Sequence, residues 1–562
     1  MQLNQSDLSK KGNVRFAAWL QNLVQQGVDS RRGLKSRWEL NEQVYRNDPA
    51  VAGIKLFDNV DPRALPVMSP RINRIVNTSA SAIEGPGVWF QAIPEDGDME
   101  SSEELEKAVQ TMLERGRFPL ILRRALVTSA LCGVSIVRLH LTDDGLSIDH
   151  IHPNDFVVSP TYGLDLKDAH LVGHRFYIPR WKVEQRAKDG LYPLYKDTPS
   201  QTSPDDDPSG RDPSYDKSYA DSATNDPATE MVELWELIVR LDVDGKAGMY
   251  RVVYNDKDTE VYQVEPYPYD RPWYFDVRLT IPEEGKFWPA NSVAQNIVGI
   301  CLMKGDLVNL MGVGSMATCA PPTYVTGMSL GKKLQGLSIA QVVEIPGAGQ
   351  DARVLPLPMT FDPKAMPLVL DYLDGAIEAQ TGISENRLNA QVSGGERVTA
   401  REIAAMESAA TQNEGSYAML VSLFLNDIAS FVQQLLKLHG KKIVAAYKGS
   451  VANGAVIASR NPVRWQVTGQ SANNSPQMVL GKLEALLNLA SNPLSGYSYE
   501  RVEKAVVQLM GLPMNTQRLE KTNDEKMASK AAMAQIAQQQ ASGGDAGLDG
   551  GLAPQAGVQL PS

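Results

Sequence analysis

Cysteine is scarce in this chain, and basic charge is outnumbered. Only Cys132, Cys301 and Cys319 occur among 562 residues, an odd number with no C-x-x-C spacing. Such usage excludes a disulfide framework and suits a reducing compartment. Lys and Arg total 55 against 66 Asp and Glu, leaving a net charge of −11 and a pI near 5.3. A DNA-gripping surface spread over the whole molecule does not fit that balance, although local basic rings do. Long apolar runs are missing as well. The most continuous, Ala125 to Val137, has 13 residues between Arg124 and Arg138, too few to cross a bilayer as a helix. The opening MQLNQSDLSKKGNVRF has no apolar core segment, so no secretory leader is expected. With 43% hydrophobic and 22% charged residues, the composition reads as a soluble protein made in the cytoplasm.

Catalytic signals fail on spacing. GMSLGKKLQG (327–336) invites a phosphate-loop reading, but only three residues separate Gly327 from Gly331 and Lys333 takes the position of the magnesium-binding hydroxyl. GVGSMA at 312 follows a helical pattern where a dinucleotide fingerprint follows a strand. His170 and His174 are four apart, and His150 and His152 two apart. In a strand four-apart histidines share a face but stand too far apart for one ion, so these read as ordinary strand histidines. The carboxylates of SPDDDPSG read as a solvated charge run. No Ser/His/Asp or Cys/His constellation emerges. Catalytic residues, cofactors and metal ligands are all assigned as none.

The length suggests three or four domains, and periodicity orders them. Two helices are expected over 13–46, one with Phe16, Leu20, Leu23 and Val24 on a stripe, the other over Trp38 to Tyr45. A helix capped by Ser101 or Ser102 runs to Arg115, and another ends at Gly133. VSIVRLHLTDDGLSIDHIHP predicts a hairpin about Asp144-Gly145, and residues 231–269 a three-strand meander. Between them, 195–230 is rich in Pro, Ser and Asp and reads as a disordered acidic insertion. Val293, Ile297, Ile300, Leu307 and Met311 mark a helix capped by Asn291 or Ser292. A mixed segment with strand-like pieces and a small helix follows, then a helix starting at Asp362-Pro363 or Met366-Pro367 and ending at Gly382. Thr399 and Glu402 form a capping box for a helix of about forty residues, with a kink near Gly415 or none, stopped by Gly440. RWQVTGQSA reads as a strand, 477–491 and 499–510 as helices, and the Gln/Gly/Ala-rich end as a mobile tail.

This order of elements resembles that of the portal proteins of tailed double-stranded DNA bacteriophages over about residues 13 to 520. The colinear pieces are RWELNEQVYRND, PRINRIVNTSASAIEGPGVWFQAIPED, ALCGVSIVRLHL with IDHIHPNDFVVSP, FWPANSVAQNIVGICLMKGDLVNLMG and GERVTAREIAAM. The acidic insertion departs from the family pattern. The resemblance implies an α+β portal fold: a mixed α/β wing (1–289), stem helix 1 (290–317), a small α/β clip (318–361), stem helix 2 (362–382), a tunnel loop (383–397), a long wing helix with its return (398–460), a helical crown (461–526) and a flexible tail (527–562). It implies a non-enzymatic ring, usually of twelve copies, at one capsid vertex of the virion, assembled in the host cytoplasm and in contact with no membrane. Implied partners are further copies of the chain, double-stranded DNA held transiently without regard to sequence, the terminase large subunit, head–tail adaptors, and major capsid and scaffolding proteins. Channel candidates are Arg387, Asn389, Gln391, Ser393, Gly394, Gly395, Arg397 and Lys304, with a salt bridge as the plain alternative for the basic ones. Clip candidates for terminase and adaptor docking are Tyr324, Lys332, Lys333 and Gln335. The rival readings are a head–tail adaptor or tail-ring protein and a cytoplasmic hydrolase.

Overall fold

The computed structural model describes residues 2–3, 14–53, 55, 60–81, 89–94, 99–159, 165–192, 231–256, 259–281, 286–321, 323–326, 342–345, 353–356, 366–381 and 400–467. The chain divides into residues 1–475 and 476–562, and every described residue belongs to the first unit. The insertion at 195–230, the loop 383–397, the helices expected at 477–491 and 499–510, most of 461–526 and the tail 527–562 lie outside the described residues.

Helices and mostly antiparallel sheets alternate, so the class is α+β. After a two-residue strand, β1 (Gln2–Leu3), comes α1 (Val14–Arg46). Two helices were expected here and one is found. Its buried residues Phe16, Leu20, Val24, Gly27, Arg31, Trp38, Asn41 and Val44 recur at steps of three, four or seven with no proline between, so a single stripe runs its length. Gly27 lets the helix sit directly on the sheet, since a Cβ there would lie 2.0 Å from Val157 Cγ2.

Next come α2 (Met68–Ser81), β2 (Phe90–Pro94), α3 (Met99–Arg115) and α4 (Phe118–Cys132). Helix α3 begins ahead of both serines proposed as its cap. Ser102 is buried inside the first turns, where Glu103 and Glu104 suit the positive helix end. Helix α4 stops, as expected, at Gly133, which takes φ +86°. The hairpin of β3 (Ser135–Thr142) and β4 (Gly145–Ile151) pairs Thr142 with Gly145. Its turn is therefore Asp143-Asp144, one residue earlier than the sequence suggested, with Gly145 supplying the positive φ at the strand start.

The chain continues through β5 (Phe156–Ser159), β6 (Leu171–Pro179), α5 (Arg180–Lys188), β7 (Met231–Val243), β8 (Lys246–Asn255), β9 (Glu260–Pro266) and β10 (Tyr274–Val277). The order β5-β6-β7-β8-β9 is antiparallel throughout, with β1 beside β7 in parallel; β10-β3-β4 form a separate sheet. The expected meander is β7-β8-β9. Asp244 and Gly245, at φ +52° and +78°, make its first turn. Trp235, Leu237, Val239, Leu241 and Val243 of β7 pack with Phe16, Leu20 and Val24 of α1. Glu236 and Ile238 point the other way. Both faces are covered, so β7 reads as a nearly unbroken apolar run.

Beyond residue 290 the helix α6 (Val293–Cys319) leads to a small sheet of β11 (Thr323–Thr326), β12 (Val342–Ile345) and β13 (Arg353–Pro356). Strand β11 is central, parallel to β12 and antiparallel to β13. Helix α7 (Met366–Thr381) starts at Met366, where Pro367 falls in the first turn and its missing N–H costs nothing. The long helix α8 (Ala400–Ala446) begins one residue after Thr399, as a cap there requires, and it breaks at His439 (φ −120°, ψ 21°), directly before the Gly440 expected to end it. A second helical stretch continues from there to Ala446, and the break is not near Gly415. Gly440 admits Val456 of the short helix α9 (Asn453–Ala458), whose Cγ1 would lie 2.2 Å from a Cβ at that position. Strand β14 (Val463–Val467) then pairs with β2. The main core gathers α2, α3, α4, β10 and α8 around Leu126, Phe275, Ile428 and Phe431.

Candidate functional site

Helices α6 and α7 pack against each other and flank the small β11–β13 sheet. Ser292 starts α6 by accepting the Gln295 N–H at 3.0 Å, and it donates to the Leu131 carbonyl at 2.9 Å, so cap and body are joined. Val293, Ala294, Ile297, Val298 and Cys301 then enter the main core. After Cys301 the stripe leaves the body. Among the described residues of α6 only Ala317 is buried again.

What remains outside is apolar. Met303, Leu310 and Met316 of α6 are 53%, 37% and 54% exposed, and Leu368 and Tyr372 of α7 are 74% and 75% exposed. Met419 and Leu423 add to the exposed apolar side chains of α8. Among the described residues, two helical stretches, Val293–Cys319 and Met419–Ala446, are long and apolar enough to cross a membrane by length and composition. The second is 56% buried within the chain, as a core helix is; the first is 17% buried. A search for uninterrupted apolar runs passes over α6 because Lys304, Asp306 and Asn309 interrupt it.

Polar side chains fix this pair of helices to the body. Lys304 Nζ meets both oxygens of Asp374 on α7 at 2.6 and 2.8 Å. Arg71 of α2, itself 6% exposed, reaches Asp374 at 3.3 Å and Glu378 at 3.9 Å. Asn309 bonds both backbone groups of Arg63, accepting at 3.3 Å and donating at 2.9 Å. The Lys304 charge proposed for a channel is therefore engaged by Asp374 in the same chain. Tyr324 lies in β11 opposite Val343 and Leu355. Arg387, Asn389, Gln391, Ser393, Gly394, Gly395, Arg397, Lys332, Lys333 and Gln335 lie outside the described residues.

A second feature, spread over α1, β3, β4, β6, β7 and β8, has no signature in the sequence. A cleft of about 1300 Å³ is lined by Glu42, Arg138, His150, His152, Arg175, Glu236 and Arg251 among others. Its charges are matched inside it. Glu236, 2% exposed, meets Arg138 at 2.5 Å and Arg251 at 2.6 Å. Burial pushes its carboxyl up, but the two guanidinium groups outweigh that and hold it below the usual carboxylate range. Arg175 pairs with Asp155 at 2.9 Å. Burial pushes both His150 and His174 down to about 4, so they are neutral at pH 7. His150 contacts Ser135 Oγ at 3.0 Å, and His174 contacts Tyr274 Oη at 2.8 Å.

At one end of the cleft His152 Nε2 lies 2.7 Å from Glu42 Oε1, and Cys132 Sγ is 3.9 Å from that nitrogen and 3.8 Å from that oxygen. His152 is not a strand residue, as first read, but caps the turn Pro153–Asp155 by accepting the Asn154 N–H at 3.2 Å on Nδ1. Thiol and carboxylate converge on the same imidazole nitrogen, whereas a nucleophile relay needs one partner on each. Burial also pushes the Cys132 thiol far up. The arrangement does not match a nucleophile relay, while the three residue types are all metal ligands. They are 90 and 20 residues apart in sequence, and no local spacing betrays them.

A protein-family model described as "Phage SU10 portal protein" matches residues 90–543, well over half the chain. No curated protein matches it.

Proposed function

The chain belongs to the phage SU10 portal protein family, and from that premise we propose that copies of it close into a ring at one capsid vertex and conduct DNA. The observation that carries the assembly reading is the apolar surface left on α6 and α7 in a single chain. Exposed apolar side chains such as Leu368 and Tyr372, 74% and 75% exposed on one helix, are the kind of surface that contact with another protein covers. Head-to-tail contact of unlike surfaces, repeated about an axis, buries such a patch on every copy. Twelve copies is the number the family resemblance suggests.

In this reading residues 1–289 form the wing, α6 and α7 the stem, and the β11–β13 segment (318–361) the clip, where the terminase large subunit and later head–tail adaptors dock. Residues 383–397 form the loop facing the DNA, with Arg387 and Arg397 as its basic groups; 398–460, 461–526 and 527–562 are the long wing helix with its return, the crown and the tail. Tyr324, Lys332, Lys333 and Gln335 are the docking candidates of the clip. A sliding duplex must not be gripped, because each neutralised phosphate adds affinity. A subunit of net charge −11 with sparse basic groups suits that requirement. The protein hydrolyses nothing in this account, and the terminase supplies the ATPase. Major capsid and scaffolding proteins are its neighbours in the virion, and assembly precedes this in the host cytoplasm.

Negative-stain images of the purified protein test the proposal. Rings with an axial hole and no ATPase activity are expected; ATP hydrolysis by the ring alone, or solitary particles at every concentration, would contradict it.

A further inference from the structure

We propose that Glu42, Cys132 and His152 form a binding site for one thiophilic divalent cation of the zinc type. Three side chains from three separately anchored elements meet there. Glu42 stands on α1, Cys132 ends α4 just before the left-handed Gly133, and His152 caps the turn after β4. Glu42 Oε1 is the point on which the thiol and the imidazole both converge.

The spacing is close to a coordination polyhedron. Zinc takes nitrogen and oxygen at about 2.0–2.1 Å and sulfur at about 2.3 Å, so neighbouring donors of a tetrahedron stand roughly 3.3–3.5 Å apart. The three separations here are 2.7, 3.8 and 3.9 Å. Adjustments of roughly half an ångström reach that geometry, which side-chain rotation provides. The surroundings also sort the donor atoms. Glu42 turns Oε1 toward the thiol and the imidazole and Oε2 toward Arg46 at 3.3 Å, so the second oxygen already has the outer partner that a ligating carboxylate needs. Glu42 and His152 line the open cleft, which gives the ion a path and leaves room for a water as fourth ligand. Cys132, 1% exposed, closes the site from behind.

Loading requires a defined proton movement. With Nδ1 accepting the Asn154 N–H, the imidazole proton sits on Nε2 and is donated to Glu42. The cation displaces the thiol proton to solvent and takes the Nε2 lone pair while the imidazole proton moves to Nδ1. That separates Nδ1 from the Asn154 amide. The local cap is thus given up in exchange for three metal–ligand bonds.

The test uses the purified full-length protein, stripped with chelator and then dialysed against Zn²⁺ or Co²⁺. Elemental analysis is expected to return one ion per chain, and X-ray absorption of the zinc form one sulfur and two or three light donors. The cobalt form is expected to show a thiolate charge-transfer band that is lost in Cys132→Ser and kept in Cys319→Ser. Stoichiometric binding without a sulfur donor, a charge-transfer band lost in Cys319→Ser, or less than a tenth of an ion per chain would each overturn the proposal. The absorption measurement needs no variant, so a folding defect in Cys132→Ser leaves the result decisive. None of these readouts depends on ring formation.

Discussion

The body of the chain and the α6–α7 pair solve the same problem in opposite ways. In the body, α1 covers one face of the meander, and α2, α3, α4 and α8 close the main core, so that Leu126, Ile428 and Leu435 are wholly buried. Its charges are matched as well, down to Glu236 between Arg138 and Arg251. The pair α6–α7 is no less apolar, yet Met303, Leu310 and Met316 of α6 and Leu368, Val369 and Tyr372 of α7 stay exposed on it. One region closes its cores within the chain. The other is complete only against something else, and the polar ties at Lys304, Arg71 and Asn309 hold it in place without covering it.

The comparison breaks first at Glu236. Replacing it with alanine leaves the half-buried Arg138 and Arg251 with only their outer partners Asp149 and Glu265, and a loss of about 3 kcal/mol or more in chemical denaturation is expected. Acid comes next. His150 and His174 titrate near 4 in the folded chain because burial disfavours their charge, against 6.5 when exposed. Their folded values are depressed, so the stability they contribute is complete above pH 6.5 and is lost as pH falls toward 4. The loss is on the order of 3 kcal/mol each. Melts between pH 7 and 4 check this, and His150→Gln with His174→Gln is expected to flatten the profile. Gly27→Ala is smaller: the added methyl collides with Val157, and about 1–3 kcal/mol is expected to be lost in the same denaturation assay. Smallest for the isolated chain is Leu310→Asp with Tyr372→Asp. These sites are exposed, so monomer stability is expected to move by no more than about 0.5 kcal/mol each.

Much of the fold was legible in the sequence because period and turn chemistry agree there. The strand-like runs over 231–269 mark the meander, Gly133 ends α4, and Met366-Pro367 is one of the two expected starts of α7. Gly440 follows the break at His439, and Gly27 and Gly440 each admit a valine from another element, a close approach that periodicity does not reveal. The continuous α1 was hidden because Asn41 and Arg31 hold stripe positions where a hydrophobic residue was sought; Asn41 is buried donating to the Leu131 carbonyl at 2.8 Å. The bare face of α6 could not be read at all, since periodicity shows which residues are apolar and not what covers them. The charged cleft was illegible for the same reason. Glu236 and Arg138 are neighbours only through the fold.

The central claim is that the α6–α7 face is covered by neighbouring copies. Sedimentation of the purified wild-type chain beside the Leu310→Asp, Tyr372→Asp double variant tests it most directly. The account expects the wild type to run as one closed multi-copy species and the variant as a folded monomer with an unchanged melt. A monomeric wild type, or a variant that still closes into the same species, would contradict it.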